Sequence, residues 1–167
     1  MRHSRGFTLV ELLVVISIMS ILTVITVSQF TTAKQKARDV QRKADLSSVA
    51  KALDLYLVDY GKFPPAASGT IGVNGTTWGG TFTDASGYVY MKVMPKENTS
   101  TNPPYCYAVS ADGKKFALFA QLENLNDLDL KHDAVTKAIL TSTCNTRTYN
   151  YYINSPNTSL NADGSFN

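Results

Sequence analysis

From Phe7 to Phe30 the chain is almost continuously apolar. Glu11 is its one charged position, and neither Pro nor Gly interrupts it. A different pattern takes over at residues 31–60, where Ala, Lys, Gln, Arg and Leu dominate and no helix breaker occurs before Gly61. At about 100° per residue the apolar positions there fall into two stripes. Ala33, Ala37, Val40 and Ala44 form one. Leu46, Val49, Ala50, Leu53, Tyr56, Leu57 and Tyr60 form the other, on roughly the opposite side. The pattern predicts one N-terminal helix of about 50 residues whose second, bulkier stripe covers a sheet of its own domain. The small-residue stripe is left to meet neighbouring helices, or else is weakly apolar surface.

Beyond Gly61 the periodicity changes again. Residues 61–87 hold seven of the ten glycines and the one tryptophan, Trp78, and predict a long loop. Trp78 either pins that loop to the core or offers a contact to a ligand. From Tyr88 the chain is β-like. Residues 105–109 and 116–122 read as strands around the turn signal Ser110-Ala111-Asp112-Gly113, and residues 149–153 as a third. The tail from Asn154 is rich in Asn, Ser and Thr and is expected to be loose. The expected class is α+β: a long helix whose latter half packs on a small antiparallel sheet.

The apolar run is long enough to matter to a membrane. As a helix, residues 7–27 would measure ~31 Å, enough to cross a bilayer core. A signal peptide would have a shorter core and a small-residue cleavage site, which Val27-Ser28-Gln29-Phe30 does not offer. A plain anchor leaves Glu11 unexplained. A carboxylate in such a run costs ~2.5–3.5 kcal/mol and needs a partner. No Lys or Arg follows within two turns. Cleavage between Gly6 and Phe7 would supply one: a new α-amine on Phe7, largely protonated at neutral pH. Between two parallel, staggered helices that pair would set a register.

The residues that pose this question, Arg5-Gly6-Phe7-Thr8-Leu9-Val10-Glu11-Leu12, resemble the prepilin signature of type IV pilins and type II secretion pseudopilins. The resemblance implies a leader of residues 1–6, cleavage after Gly6 by a membrane prepilin peptidase and N-methylation of Phe7. It implies that Thr8 and Glu11 serve assembly, Glu11 by neutralising a neighbouring subunit's N-terminus. It also implies a pilin-like fold, a helical homopolymer, an inner-membrane assembly platform, and storage of residues 7–30 in the inner membrane. Residues 31–60 then lead into a globular domain, residues 61–167. Basic residues on both sides of the apolar run would by count keep the C-terminal side inside. The resemblance places the leader in the cytoplasm and the globular domain outside, before entry into a pilus or pseudopilus. Many type IV pilins carry a proline early in this helix. Here none precedes Pro64, so no proline-linked kink is expected. A second, shorter resemblance lies at Ala52-Leu53-Asp54-Leu55-Tyr56 and Phe63-Pro64, similar to the helix end of major pseudopilins.

Composition narrows the remaining chemistry. The chain has 167 residues, enough for one ordinary domain and one special element. Without Arg2 and Arg5, 14 basic residues face 13 acidic ones, so no specific nucleic-acid partner is expected. Cys106 and Cys144 are the only cysteines; in an exported domain they suggest a disulfide, and many type IV pilins staple their C-terminal region this way. Two free thiols are the alternative. Asp127, Asp129 and Asp133 are hard oxygen donors that suit calcium, but Lys131 among them favours a solvated acidic face. No other cofactor is expected. After Phe7 the chain holds a single histidine, His132, and no zinc, nucleophile-elbow or phosphate-loop motif, which argues against an enzyme. Three Asn-x-Ser/Thr triplets begin at Asn74, Asn98 and Asn157. The functional expectation is a structural filament subunit of a secretion-type pseudopilus or a type IV pilus. A monomeric, membrane-anchored extracytoplasmic binding domain is the alternative.

Overall fold

The computed structural model describes residues 6–132, 136, 138–156, 158–161 and 163–166. Two units are distinguished, one ending at Arg38 and the other running Asp39–Asn167. One helix, α1 (Leu9–Tyr60), contributes to both. Thr8 starts it and Gly61 stops it. Gly61 sits at φ 68°, the left-handed conformation of a helix C′ residue, and its amide donates to the Leu57 carbonyl at 2.7 Å.

In the first unit the helix is bare. Its described side chains from Phe7 to Phe30 are exposed. It is the one helix among the described residues that is long and apolar enough to cross a membrane. Four of its described hydroxyls are satisfied within the helix: Ser17, Ser20, Thr23 and Thr26 donate to the carbonyls of Leu13, Ile16, Met19 and Leu22 at 2.7–2.8 Å. This back-bonding lets polar side chains sit in an apolar helix without unpaired donors.

Among the described residues of the second unit nine short strands follow α1: β1 (Ala66–Ala67), β2 (Thr70–Ile71), β3 (Phe82–Thr83), β4 (Val89–Met91), β5 (Cys106–Val109), β6 (Phe116–Ala120), β7 (Ser142–Cys144), β8 (Arg147–Tyr149) and β9 (Tyr151–Asn154). All pairings are antiparallel. The strands do not form one sheet. Three hairpins, β1–β2, β3–β4 and β7–β8, stand beside a three-stranded sheet ordered β5-β6-β9. The fold is α+β and pilin-like.

Strand β6 is buried on both faces. Phe116, Leu118 and Ala120 join Leu46, Val49, Ala52, Leu53 and Tyr56 of α1 in the main core. Ala117 and Phe119 face the other way, into a smaller core with Cys106, Cys144 and Tyr149. A run such as Phe-Ala-Leu-Phe-Ala, apolar at every position, is what a doubly covered strand requires. Truncating a side chain such as Leu53 to Ala would cost about 2–5 kcal/mol.

Four expectations need correction. The glycine-rich loop 61–87 is not irregular throughout: it carries β1, β2 and β3. Gly69 makes the first turn possible, at φ 81° with room for no Cβ, which would lie 2.8 Å from Cys106 Sγ. The expected strand 149–153 is divided, because Asn150 leaves the ladder to bond both the amide and the carbonyl of Leu122. The tail is not loose over its described residues: the Ser155 amide donates to the Phe116 carbonyl, and Leu160 and Phe166 pack on the smaller core. Lastly, Tyr60 does not extend the core stripe of α1. It is 44% exposed, and its hydroxyl donates to Asp84.

Candidate assembly and processing site

The start of α1 is a capping box. The Thr8 hydroxyl accepts from the Glu11 amide at 3.2 Å, and Glu11 Oε2 accepts from the Thr8 amide at 2.8 Å. The Thr8 hydroxyl also donates to the same carboxylate oxygen at 2.7 Å. Glu11 therefore has a partner inside its own chain while the Gly6-Phe7 bond is intact. The pattern Thr-x-x-Glu before an apolar run is legible as a cap, although the signature alone did not show that use. Phe7 is 78% exposed. A Cβ added at Gly6 would meet no atom within 4 Å, so none of the described residues requires glycine there.

Cys106 and Cys144 form a disulfide, 38 positions apart, that ties β5 to β7. Trp78 pins its loop: its ring packs edge-on to Tyr105, with centroids 5.6 Å apart, and its Nε1 donates to the Gly69 carbonyl at 3.2 Å. Of the calcium candidates, Asp127 and Asp129 both accept hydrogen bonds from the Lys43 ammonium at 2.5 Å. Asp133 lies outside the described residues. His132 is exposed and bridges to Ile139. Among the described residues no group of three or more His, Cys, Asp or Glu is placed to hold a metal ion.

One cluster escaped the sequence reading. Asp39 and Arg42 are both buried. Arg42 donates to Asp39, Glu97 and Glu123 at 2.7–3.0 Å. Asp39 also accepts from the backbone amides of Glu123 and Asn124. Asp39 and Arg42 share a helix face and are recognisable as an i,i+3 pair. Glu97 and Glu123 arrive from loops far away in sequence. Burial of Arg42 opposes its charge, and the three carboxylates more than restore it, so its guanidinium stays protonated.

The geometry is that of a pilin-like subunit: a capped, bare apolar helix continued into a small disulfide-tied β domain. Residues 1–27 match the prokaryotic N-terminal methylation motif. The chain is 33% identical to the type IV wide pilus major component PilA4 of Thermus thermophilus, over 52% of this chain and 67% of that protein. It is 35% identical to the type II secretion system core protein G of Pseudomonas aeruginosa and 36% identical to that of Klebsiella pneumoniae. Those matches cover 41% of this chain, and the chain spans about half the length of these secretion-system relatives. No solved structure matches it. The chain belongs to the family of type IV pilins and type II secretion pseudopilins.

Proposed function

We propose that this chain is a structural, non-enzymatic subunit of a type IV filament, made as a precursor and assembled from the inner membrane. A prepilin peptidase removes residues 1–6, and Phe7 is methylated. The exposed Gly6-Phe7 junction supports this, since the bond is accessible and its glycine answers to no packing among the described residues. A bulky side chain at position 6 is expected to fail in a tight peptidase subsite, while alanine is expected to be better tolerated.

The observation that carries the reading is Glu11 at the head of a bare apolar helix, held by Thr8. In the precursor the capping box satisfies the carboxylate. After cleavage the charged amine of a neighbouring subunit's Phe7 is a stronger partner, because in a dry environment a full opposite charge attracts the carboxylate more than the amide and hydroxyl dipoles of Thr8 do. The same apolar surface serves in the bilayer and in the filament interior, since both exclude water. The leader faces the cytoplasm and the second unit the oxidising side, where a cystine such as Cys106–Cys144 persists. Its direct partners are other copies of itself, the peptidase and an inner-membrane assembly platform.

Shearing cells and weighing the released fibre subunit tests this. A dominant subunit beginning at methylated Phe7 establishes a major pilin. A processed chain retained in the envelope points to a pseudopilus or a minor subunit. Protein that still begins at Met1 would instead favour a monomeric, membrane-anchored binding domain.

A further inference from the structure

The loop after β6 presents two leucines to solvent, Leu125 and Leu128, the latter 99% exposed. Single exposed leucines are ordinary on a protein surface. These two sit on a turn that the fold holds at several points. The Asp127 and Leu130 amides donate to the carbonyls of Asn124 and Asp127, both at 3.2 Å, so two tight turns follow each other. The Asn124 and Asp127 side chains accept from the amides of Asn126 and Asp129 at 3.2 and 3.0 Å. Helix α1 clamps the turn from below: Asp39 accepts from the Asn124 amide at 2.8 Å, and the Lys43 ammonium holds Asp127 and Asp129. Leu130, which follows, is buried. The turn is therefore ordered before it meets anything, and a contact made through it loses little entropy.

A second exposed apolar surface lies on the outer face of α1. Lys51, Leu55 and Val58 follow one another at i, i+4 and i+7, on the side opposite the buried Leu46, Val49 and Leu53. Leu55 is exposed, and Val58 is 81% exposed. Lys51 pairs with no carboxylate among the described residues, Asp54 one turn on included. On the turn, Asp129 keeps 62% of its side chain in solvent even while Lys43 holds it. A projecting leucine followed by a carboxylate thus faces two apolar side chains preceded by an ammonium. The two surfaces match in shape and in charge.

Within one copy they cannot meet. Lys43 holds the turn, and Leu55 and Val58 lie roughly 18–23 Å further along α1 at 1.5 Å per residue. Two parallel copies displaced along the helix by that amount bring the turn of one beside the face of the other. A contact between two different surfaces does not close on itself, so it repeats from copy to copy, as an open helical filament requires. We propose that Leu128 of one copy docks between Leu55 and Val58 of a second copy, with Asp129 beside Lys51. This contact rests on the chain being a filament subunit, and it names a surface of the second unit that joins the copies beyond the apolar run. The contact is small, but it acts between copies already held together by their apolar helices, which raises its effective concentration.

The test makes Leu128→Cys, Val58→Cys and the double variant in the full chain, shears fibres from cells and oxidises them with copper phenanthroline. The double variant is expected to give a ladder of disulfide-linked oligomers on a non-reducing gel, because each copy then carries both halves of the contact. Each single variant is expected to stay monomeric, as is the unaltered chain, whose cystine is internal. Leu128→Asp is expected to be processed and, in maltoside micelles, to melt at the unaltered temperature, because so exposed a side chain touches little of its own chain. It should nevertheless yield about tenfold fewer fibres. Double-variant fibres that stay monomeric overturn the proposal, as does Leu128→Asp assembling in full. Dimers from Leu128→Cys alone would show the turn meeting its own copy, and a link to a different protein would name another occupant; either result overturns it. Absence of fibres from the unaltered chain would instead overturn the filament reading itself, and this contact with it.

Discussion

Arg42 Nη1 lies 2.7 Å from Asp39 Oδ1, one helical turn away, and both side chains are almost completely removed from solvent. The two residues sit where α1 enters the second unit, which begins at Asp39. Asp39 caps the amides of 123 and 124, while Arg42 gathers Glu97 and Glu123. Two loops are thereby fixed to one turn of helix.

Removing the guanidinium would leave buried carboxylates unpaired. Arg42→Ala is expected to lower the unfolding free energy of the second unit by about 3–5 kcal/mol. Arg42→Lys should recover only part of that, because one ammonium cannot reach three carboxylates in a planar fork. Thermal and denaturant unfolding measure both, and an unchanged midpoint for Arg42→Ala would show the cluster to be energetically idle.

Glu11 caps α1 in the structure, and its charge is proposed to serve assembly; a single substitution separates the two. Glutamine keeps the carbonyl that accepts from Thr8 and so keeps the capping box, but carries no charge. Glu11→Gln should be cleaved and methylated normally yet be absent from sheared filaments. Normal incorporation would mean that the cap, not the charge, is what assembly requires. Thr8→Ala should weaken the cap by ~1 kcal/mol, with Thr8→Ser rescuing it.

The cystine closes a long stretch of chain around the smaller core. Paired Cys106→Ser and Cys144→Ser substitutions should cost ~2–4 kcal/mol. In the unaltered protein, alkylation before reduction should leave the mass unchanged. Uptake of two alkyl groups would show two thiols instead.

Asp84 makes stability depend on acid. Its carboxyl titrates near 3.8 when unperturbed and near 2 in the fold, held down first by the Ser86 hydroxyl. The folded value is the lower one, so the stabilisation is fully present above about pH 4. It disappears as the pH falls towards 2. Asp84→Asn should flatten that part of a stability-versus-pH curve, and an identical acid limb in the variant would assign the loss to other carboxylates.

The sequence by itself determined what depends on neighbours along the chain. The length of α1 followed from an uninterrupted helical composition and the Gly61 stop. The proposed processing junction and the proposed role of Glu11 were read from a local motif, and the Leu46–Val49–Leu53–Tyr56 stripe followed from helical period. Each is set by contacts within a turn or two, which a one-dimensional pattern records. Tertiary structure decided the rest. Glycines in residues 61–87 permit turns without naming the strands that flank them, so β1, β2 and β3 were hidden in what reads as a loop. Arg42 reads as one more surface charge until Glu97 and Glu123 are brought to it from far along the chain. Leu125 and Leu128 share one ordered turn only because Asp39 and Lys43 reach across from α1 to hold it. Pairings across such separations depend on loop closure and packing, and no local period carries them.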